Sequence, residues 1–530
     1  MAEPFYFIIM RYFLVTILII CSTLLYSQSK QDYIWFFGLD EEPNVPGTQA
    51  YRFDFNLKPF EVIKSENGIG FAQNNASICD KDGNLLFYTN GCAVLNRDAK
   101  IMSNGDSLNY DIWQDLSGHN QCKYGYPGTQ NSIILNDPGD ENNYYLLHKP
   151  YVFENWENYN QTYFWYSLVD MSLSNGSGDV IEKNKVLYDE SQSMTSYLTA
   201  INHENGKDWW VIQPLEDDSL FLTFLINENG IERKEDQNTH QYFDYYRSSA
   251  SGTANFSPDG TKYALYNYYD QLHVYDFDRE TGKLSNHVKV EIYNPDSIDV
   301  EDIRFSSGEW SPNSRFIYVS NELELYQIDT WEENLQDGVR LIGEYDGTQN
   351  PFPNTFFLMA QGPDCRIYMC STSGNETYHV INKPDELGAE CDFVQNGIKL
   401  PYEAGFGSMP NFPRFRVDEA EKCDPTIVSV FGDYVWYRRD IMVWPNPSSG
   451  IFNIELPDVG AGKLVVTNIN GQVLYERDVS NIINEERIDI SGYPAERYNV
   501  EFWPDRNMRS KSGDFDHRVF YGGQVVKVKN

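Results

Sequence analysis

The chain has 530 residues, more than one ordinary hydrophobic core holds, so it divides into two folded units or closes into a repeat architecture. Its 41 basic residues against 78 acidic ones leave a net charge of −37, which repels polyanions and argues against nucleic acid or an anionic membrane surface as partner. Aromatics make up 15% of the residues and fall in short runs such as Trp35-Phe36-Phe37 and Tyr144-Tyr145-Leu146-Leu147, a composition of strands.

The first element is a targeting segment. Arg11 precedes the apolar run Tyr12 to Tyr26, which has the length of a signal-peptide hydrophobic region and is short for a membrane span. Residues 1–27 are expected to be removed, leaving no span behind. Seven cysteines then remain: Cys79, Cys92, Cys122, Cys365, Cys370, Cys391 and Cys423. Export permits disulfides, and the spacings lack the paired C-x-x-C of a zinc site, so one or two staples plus buried thiols are expected. Cys92 with Cys122 is the preferred bridge, because both lie in turn-rich sequence around a long loop. The other reading makes both small core residues.

From residue 33 onward one unit recurs: a strand, a tight turn of Asp, Asn, Pro or Gly, then a strongly apolar strand. The turns are Asp80-Lys81-Asp82-Gly83, Asp137-Pro138-Gly139-Asp140, Asn205-Gly206, Ser257-Pro258-Asp259-Gly260, Ser311-Pro312-Asn313-Ser314 and Gly362-Pro363-Asp364-Cys365. Gly and Asn adopt the positive φ that hairpin tips require, so these are read as hairpins. A spacing of about 50 to 67 residues between turns fits four-stranded propeller blades with loop insertions. The expectation is an all-β fold, a β-propeller of about seven blades, with six possible, over 33–417. The seventh blade is expected to be composite, Ile34 to Gly38 and Tyr51 to Phe55 joining Ile398 to Pro401 and the Met409 to Phe415 region to close the ring.

Asn84-Leu85-Leu86-Phe87-Tyr88-Thr89-Asn90-Gly91, Tyr166-Ser167-Leu168-Val169-Asp170-Met171, Phe256-Ser257-Pro258-Asp259-Gly260, Tyr275-Asp276-Phe277-Asp278 with Thr281-Gly282, and Met409-Pro410-Asn411-Phe412 resemble the uncharacterised WD40-like propellers of Bacteroidetes surface proteins. The resemblance implies the fold and no particular activity.

After a linker at 418–441 the punctuation changes. Pro445-Asn446-Pro447-Ser448-Ser449-Gly450 is a turn cluster before the alternating Ile451-Phe452-Asn453-Ile454-Glu455-Leu456. Asn470-Gly471 between two apolar runs is a hairpin signal. With Tyr498-Asn499-Val500-Glu501-Phe502 and the closing Gln524 to Lys529, residues 442–530 are expected to form a small Ig-like β-sandwich. The order of motifs resembles the type A C-terminal sorting domain of the type IX secretion system. That resemblance implies recognition by the secretion machinery, a secreted or outer-membrane cell-surface location, and sorting roles for Pro445, Asn446, Pro447, Gly450, Asn470, Gly471, Tyr498, Lys527 and Lys529. One departure is Glu496, where the family usually has Gly two positions before the tyrosine.

Residues for chemistry are scattered. There is no G-x-S-x-G elbow, and Gly405-Phe406-Gly407-Ser408 reads as loop. The eight histidines form no close pair and no H-E-x-x-H. No cofactor and no metal are expected. Asp80, Asp82 and Asn84 begin like a calcium loop without its distal Glu, and the repeat context favours a turn. Trp156, Tyr159, Tyr163 and Trp165 are candidates for stacking on sugars, with strand packing the other reading. The expected function is that of an exported binding or scaffold module for a protein or glycan ligand. The alternative is an extracellular hydrolase of polysaccharide or peptide working in the propeller channel.

Overall fold

The computed structural model describes residues 29–39, 50–57, 60–71, 73–109, 125–150, 152–155, 158–160, 163–190, 194, 196–215, 220–239, 252–293, 304–349, 351–401, 407–417, 437–440, 443–455, 462–468, 473–479, 485–495, 497–504 and 519–527. The signal segment, the linker up to residue 436, Cys122, Trp156, Asn470, Gly471, Glu496 and Lys529 lie outside them.

The described residues hold strands and three short 3-10 turns. Seven antiparallel sheets follow one another, and each is a blade. Blade 1 is Ile34–Phe37, Tyr51–Asp54 and Glu61–Lys64, and blade 2 runs from Ala76–Cys79 to Val94–Asn96. Blades 3 to 5 begin with Ser132–Asn136, Thr199–Asn202 and Thr253–Phe256, and blades 6 and 7 with Ser307–Trp310 and Met359–Gln361. The last strand of blade 7 is Phe393–Lys399.

The six turns read from the sequence each join the first and second strands of blades 2 to 7. Their side chains explain why. Asp80 Oδ1 accepts from the amides of Asp82 and Asn84, both at 2.9 Å, so its carboxylate is committed to the turn. Ser257 Oγ accepts from Lys262 N at 3.0 Å and Ser311 Oγ from Phe316 N at 2.8 Å, the same bond in equivalent places. First strands run alongside one another around the channel: Trp310 Nε1 donates to Asn255 O, and Thr253 Oγ1 to Gly308 O. Apolar side chains on alternating positions fill the spaces between blades, with Trp35, Trp310, Tyr263 and Tyr318 among the largest buried groups.

Blade 1 differs. Its first strand runs opposite to that of blade 2, since Asn75 Nδ2 reaches Phe36 O and Ser77 Oγ reaches Ile34 O. Among the described residues the seam is closed by aromatic rings packed edge to face across it, not by a shared ladder. Trp35 meets Tyr368 at 5.7 Å, Phe37 meets Tyr378 at 5.7 Å, and Tyr51 donates a 2.9 Å bond to the Tyr378 hydroxyl. The expected composite blade is therefore corrected in one half: Ile398 belongs to the outer strand of blade 7. Its other half, the stretch around Met409 to Phe415, does lie against blade 1, without forming a ladder with it among the described residues.

The C-terminal strands form two sheets. Tyr437–Asp440, Val519–Val526, Arg497–Pro504, Gly462–Asn468 and Val473–Val479 make the larger, and Val443–Trp444, Ile451–Glu455 and Glu485–Asp489 the smaller. Phe452, Ile454 and Ile488 from the small sheet and Leu464, Val466, Val500, Phe502 and Val525 from the large one are buried together. The architecture is all-β, a propeller followed by a two-sheet module.

Cys92 and Cys365 each belong to a disulfide, and Cys79, Cys370 and Cys391 are buried thiols. Burial also holds His148 neutral. Its ring is enclosed between Asn109 Oδ1 at 2.5 Å and Ser167 Oγ at 3.0 Å, and desolvation pushes its pKa down to about 3. Below about pH 6.5 the unfolded chain takes up a proton that the native site refuses, so this contribution is whole above that pH and fades towards pH 3. His379, held down to about 4 by burial, acts with the same sign. Urea midpoints are expected to fall as pH drops from 7 to 4, and His148→Gln to flatten that slope.

Candidate functional site

A propeller offers its channel first, and here the channel is filled by the chain itself. Residues 407–417, Gly-Ser-Met-Pro-Asn-Phe-Pro-Arg-Phe-Arg-Val, enter where the first strands begin and run in their direction. Pro410 and Pro413 have no N–H to give to a ladder, so the segment is held mainly by side chains. Gly407 is required at the entry, since a Cβ there would sit 2.1 Å from Ser371 O.

Three residues carry most of the anchoring. Asn411 donates its backbone N–H to Asn75 O at 2.9 Å and its amide nitrogen to Ser132 O at 3.1 Å and Leu198 O at 2.9 Å. Arg414 donates its N–H to Ala200 O at 3.1 Å and Nε to Phe256 O at 2.8 Å, and pairs with Glu309. It also reaches Gln361 Oε1 at 3.4 Å. Arg416 forks onto both oxygens of Asp32, at 2.6 and 2.5 Å, the bidentate geometry that suits guanidinium to carboxylate. Phe412 stands 6.1 Å from Trp35 of blade 1, and Phe415 meets Trp209 of blade 4 at 5.8 Å. One short segment thus touches all seven blades. The space left beside it is about 80 Å³. The buried acids it meets, Asp32 and Glu309, are both neutralised by its arginines.

In the C-terminal module the two ends meet. Asn446 Oδ1 accepts from Val526 N at 2.9 Å, and Ser448 N donates to Val526 O at 2.8 Å. Lys527, nearly buried, sends Nζ to Ser491 O at 2.8 Å and to Tyr493 O. Gly450 has φ +111, and a Cβ on it would lie 2.7 Å from Ser491 Cα and 2.9 Å from Lys527 Cε. Tyr498 OH donates to Pro494 O at 2.6 Å, a hydroxyl returning to the backbone four residues upstream as in the tyrosine corner of β-sandwiches. The Pro445 to Gly450 turn, Lys527 and Tyr498 are therefore parts of one clamp. Gly450→Ala is expected to cost about 2 kcal/mol from backbone strain and the close contact. A lower melting temperature of this module in the full chain checks it.

Folding also creates a contact that spacing hid. His273 Nδ1 lies 2.8 Å from His287 Nε2, and His273 Nε2 is 3.1 Å from Asp270 Oδ2. The two histidines sit on neighbouring strands of blade 5: His273 is opposite Lys289, and His287, two residues from Lys289, lies on the same face. Desolvation, then His273, pushes His287 down to about 4, so His287 is uncharged at neutral pH. The sequence shows no close histidine pair because the two meet only when these strands pair. Of the aromatic insertion, Tyr163 and Trp165 pack together at 5.8 Å. Among the described residues no group of three or more His, Cys, Asp or Glu is arranged to hold a metal.

Residues 442–511 match the family described as the secretion system C-terminal sorting domain. No curated protein matches the sequence. Solved structures with similarity include a putative 6-phosphogluconolactonase from Bacteroides fragilis, 12% identical, covering 72% of this chain and 98% of that one with a TM-score of 0.39. The Dos1 propeller is 11% identical, with 67% and 79% covered and a TM-score of 0.39. The periplasmic gluconolactonase of Pseudomonas aeruginosa is 12% identical, with 86% and 99% covered and a TM-score of 0.34. Those names describe those proteins.

Proposed function

Because it ends in a secretion-system sorting domain the chain is a secreted or cell-surface protein, and from that premise we propose that its propeller is a rigid binding or scaffold module displayed outside the cell. In this reading residues 1–27 are a signal peptide, 33–417 the displayed module, 418–441 the linker, and 442–530 an Ig-like unit that type IX machinery recognises, the layout of Bacteroidetes surface proteins. Cys92 and Cys122 form its first staple.

The observation that carries a binding role over a hydrolytic one is the filled channel. A glycoside hydrolase needs two carboxyl groups free to exchange protons across a bound substrate. Asp32 and Glu309 are instead paired with Arg416 and Arg414, and the substrate's place holds Asn411 and Phe412. With the channel filled, recognition falls to the exposed faces of a stiff ring and the clefts between its blades.

The purified chain should bind members of a glycan and surface-protein array while turning over nothing in a panel of polysaccharide, peptide and lactone substrates. Turnover abolished by Glu309→Gln would replace this reading with the hydrolase.

A further inference from the structure

We infer that the cleft between blades 5 and 6 is a binding site for a neutral oligosaccharide. The inference rests on the binding-module reading and names its ligand class and place. The cleft is open and of about 690 Å³, within the range of ligand sites. It lies on the face where the channel segment enters. Its walls come from the turn after the second strand of blade 5, from Ile292, Tyr293 and Arg304, and from two strands of blade 6 and the turn between its second and third strands.

Four tyrosines line it: Tyr268, Tyr293, Tyr326 and Tyr345. Tyr293 is the centre, 5.3 Å from Tyr268 and 5.3 Å from Tyr326, the latter nearly perpendicular. Rings held edge to face in this way present flat faces at an angle to one another. Such faces take the C–H side of a pyranose, apolar on one side and ringed with hydroxyls. Arg304 lies over Tyr268 at 5.5 Å and fixes the near wall.

The polar groups at the cleft decide the ligand's chemistry. Glu324 and Glu344 are directly opposite in the antiparallel register of blade 6, an arrangement that costs stability when both are charged. No cation pairs with either among the described residues, and Glu324 accepts from Asn321 Nδ2 at 3.0 Å and from the Tyr326 hydroxyl. Two neighbouring carboxylates have acceptor sites to spare and no proton to give. A sugar carries adjacent O–H donors that suit them. A proline-rich peptide, which also favours tyrosine grooves, offers chiefly carbonyl acceptors and leaves the glutamates unmatched. Uronic or sulfated chains are repelled by the same pair and by the net charge of −37. Burial, then Glu324, raises the Tyr326 hydroxyl to about 12, so it remains a donor at any physiological pH.

The test is titration calorimetry of the full chain with neutral gluco-, manno- and galacto-oligosaccharides, a polyuronate and a proline-rich peptide, repeated with Tyr293→Ala and the shape-preserving Glu344→Gln. The expected result is binding of at least one neutral oligosaccharide, none of the polyuronate, and a loss of about tenfold in affinity in each variant. Neutral sugar binding that both variants leave unchanged would place the site elsewhere and overturn the inference while sparing the binding module. Binding of the peptide or polyuronate alone would overturn the ligand class. Silence towards every glycan and every protein on the arrays would overturn the binding module along with it. Because Tyr293 also packs in the core, Glu344→Gln decides if Tyr293→Ala fails to fold.

Discussion

A chain ending at Val417 is expected to unfold in one cooperative transition, and a chain ending at Phe406 to lack a stable folded state. The difference is eleven residues. They supply the backbone and side-chain bonds of Asn411 to blades 2, 3 and 4, the Arg414 contacts to blades 4, 5, 6 and 7, and the Arg416 fork onto Asp32 before blade 1. Each neutral bond contributes about 1 kcal/mol and each bond to a charged group about 2, so together they rival the whole stability of a domain, about 5 to 15 kcal/mol. Removing the segment also leaves Asp32 and Glu309 buried without their partners. Blade 1 suffers most, because its first strand runs opposite to its neighbour and relies on Phe412 and Arg416 for cover. Near-ultraviolet circular dichroism and limited proteolysis of the two chains distinguish the outcomes; equal stability would show the segment to be a passenger in the channel.

The second large effect is at Arg414. Arg414→Ala is expected to lower stability by about 3 kcal/mol, since it strands the Glu309 carboxylate, which is 5% exposed, inside the ring. Glu309 keeps its bond to Trp310 N at 2.8 Å, so it cannot turn away without cost. The double variant Glu309→Gln with Arg414→Met should cost less than the two single changes added, with a coupling of about 1.5 kcal/mol or more. Urea midpoints of the four chains measure it. Additive losses would mean that the pair contributes nothing beyond its separate bonds.

Much of this architecture could be read from the sequence, and the reasons are local. Ser257-Pro258-Asp259-Gly260 and Ser311-Pro312-Asn313-Ser314 announce their hairpins because the turn chemistry lies within the turn. Blade 1 gave no such signal, since its neighbours come from the far end of the chain. Asn411 and Arg414 were visible only as part of an aromatic and proline-rich stretch. Most of their partners are backbone carbonyls far away in sequence, such as Phe256 at 158 residues and Ser132 at 279, and carbonyls leave no residue-type signal to read. The His273 and His287 contact was hidden for another reason: the two are 14 residues apart and meet only when their strands pair in blade 5. In the C-terminal module the turn at Pro445 to Gly450 was read as punctuation, and its bond to Val526 shows it to be part of a clamp on the last described strand.

The role proposed for the C-terminal module is to carry the propeller out of the cell. It is tested most directly by deleting residues 442–530 in the native host and measuring where the propeller goes, by protease access on intact cells and by fractionation. The expected result is a folded, protease-resistant propeller retained in the periplasm and absent from the surface and medium. Normal display of the shortened chain at the surface would contradict it.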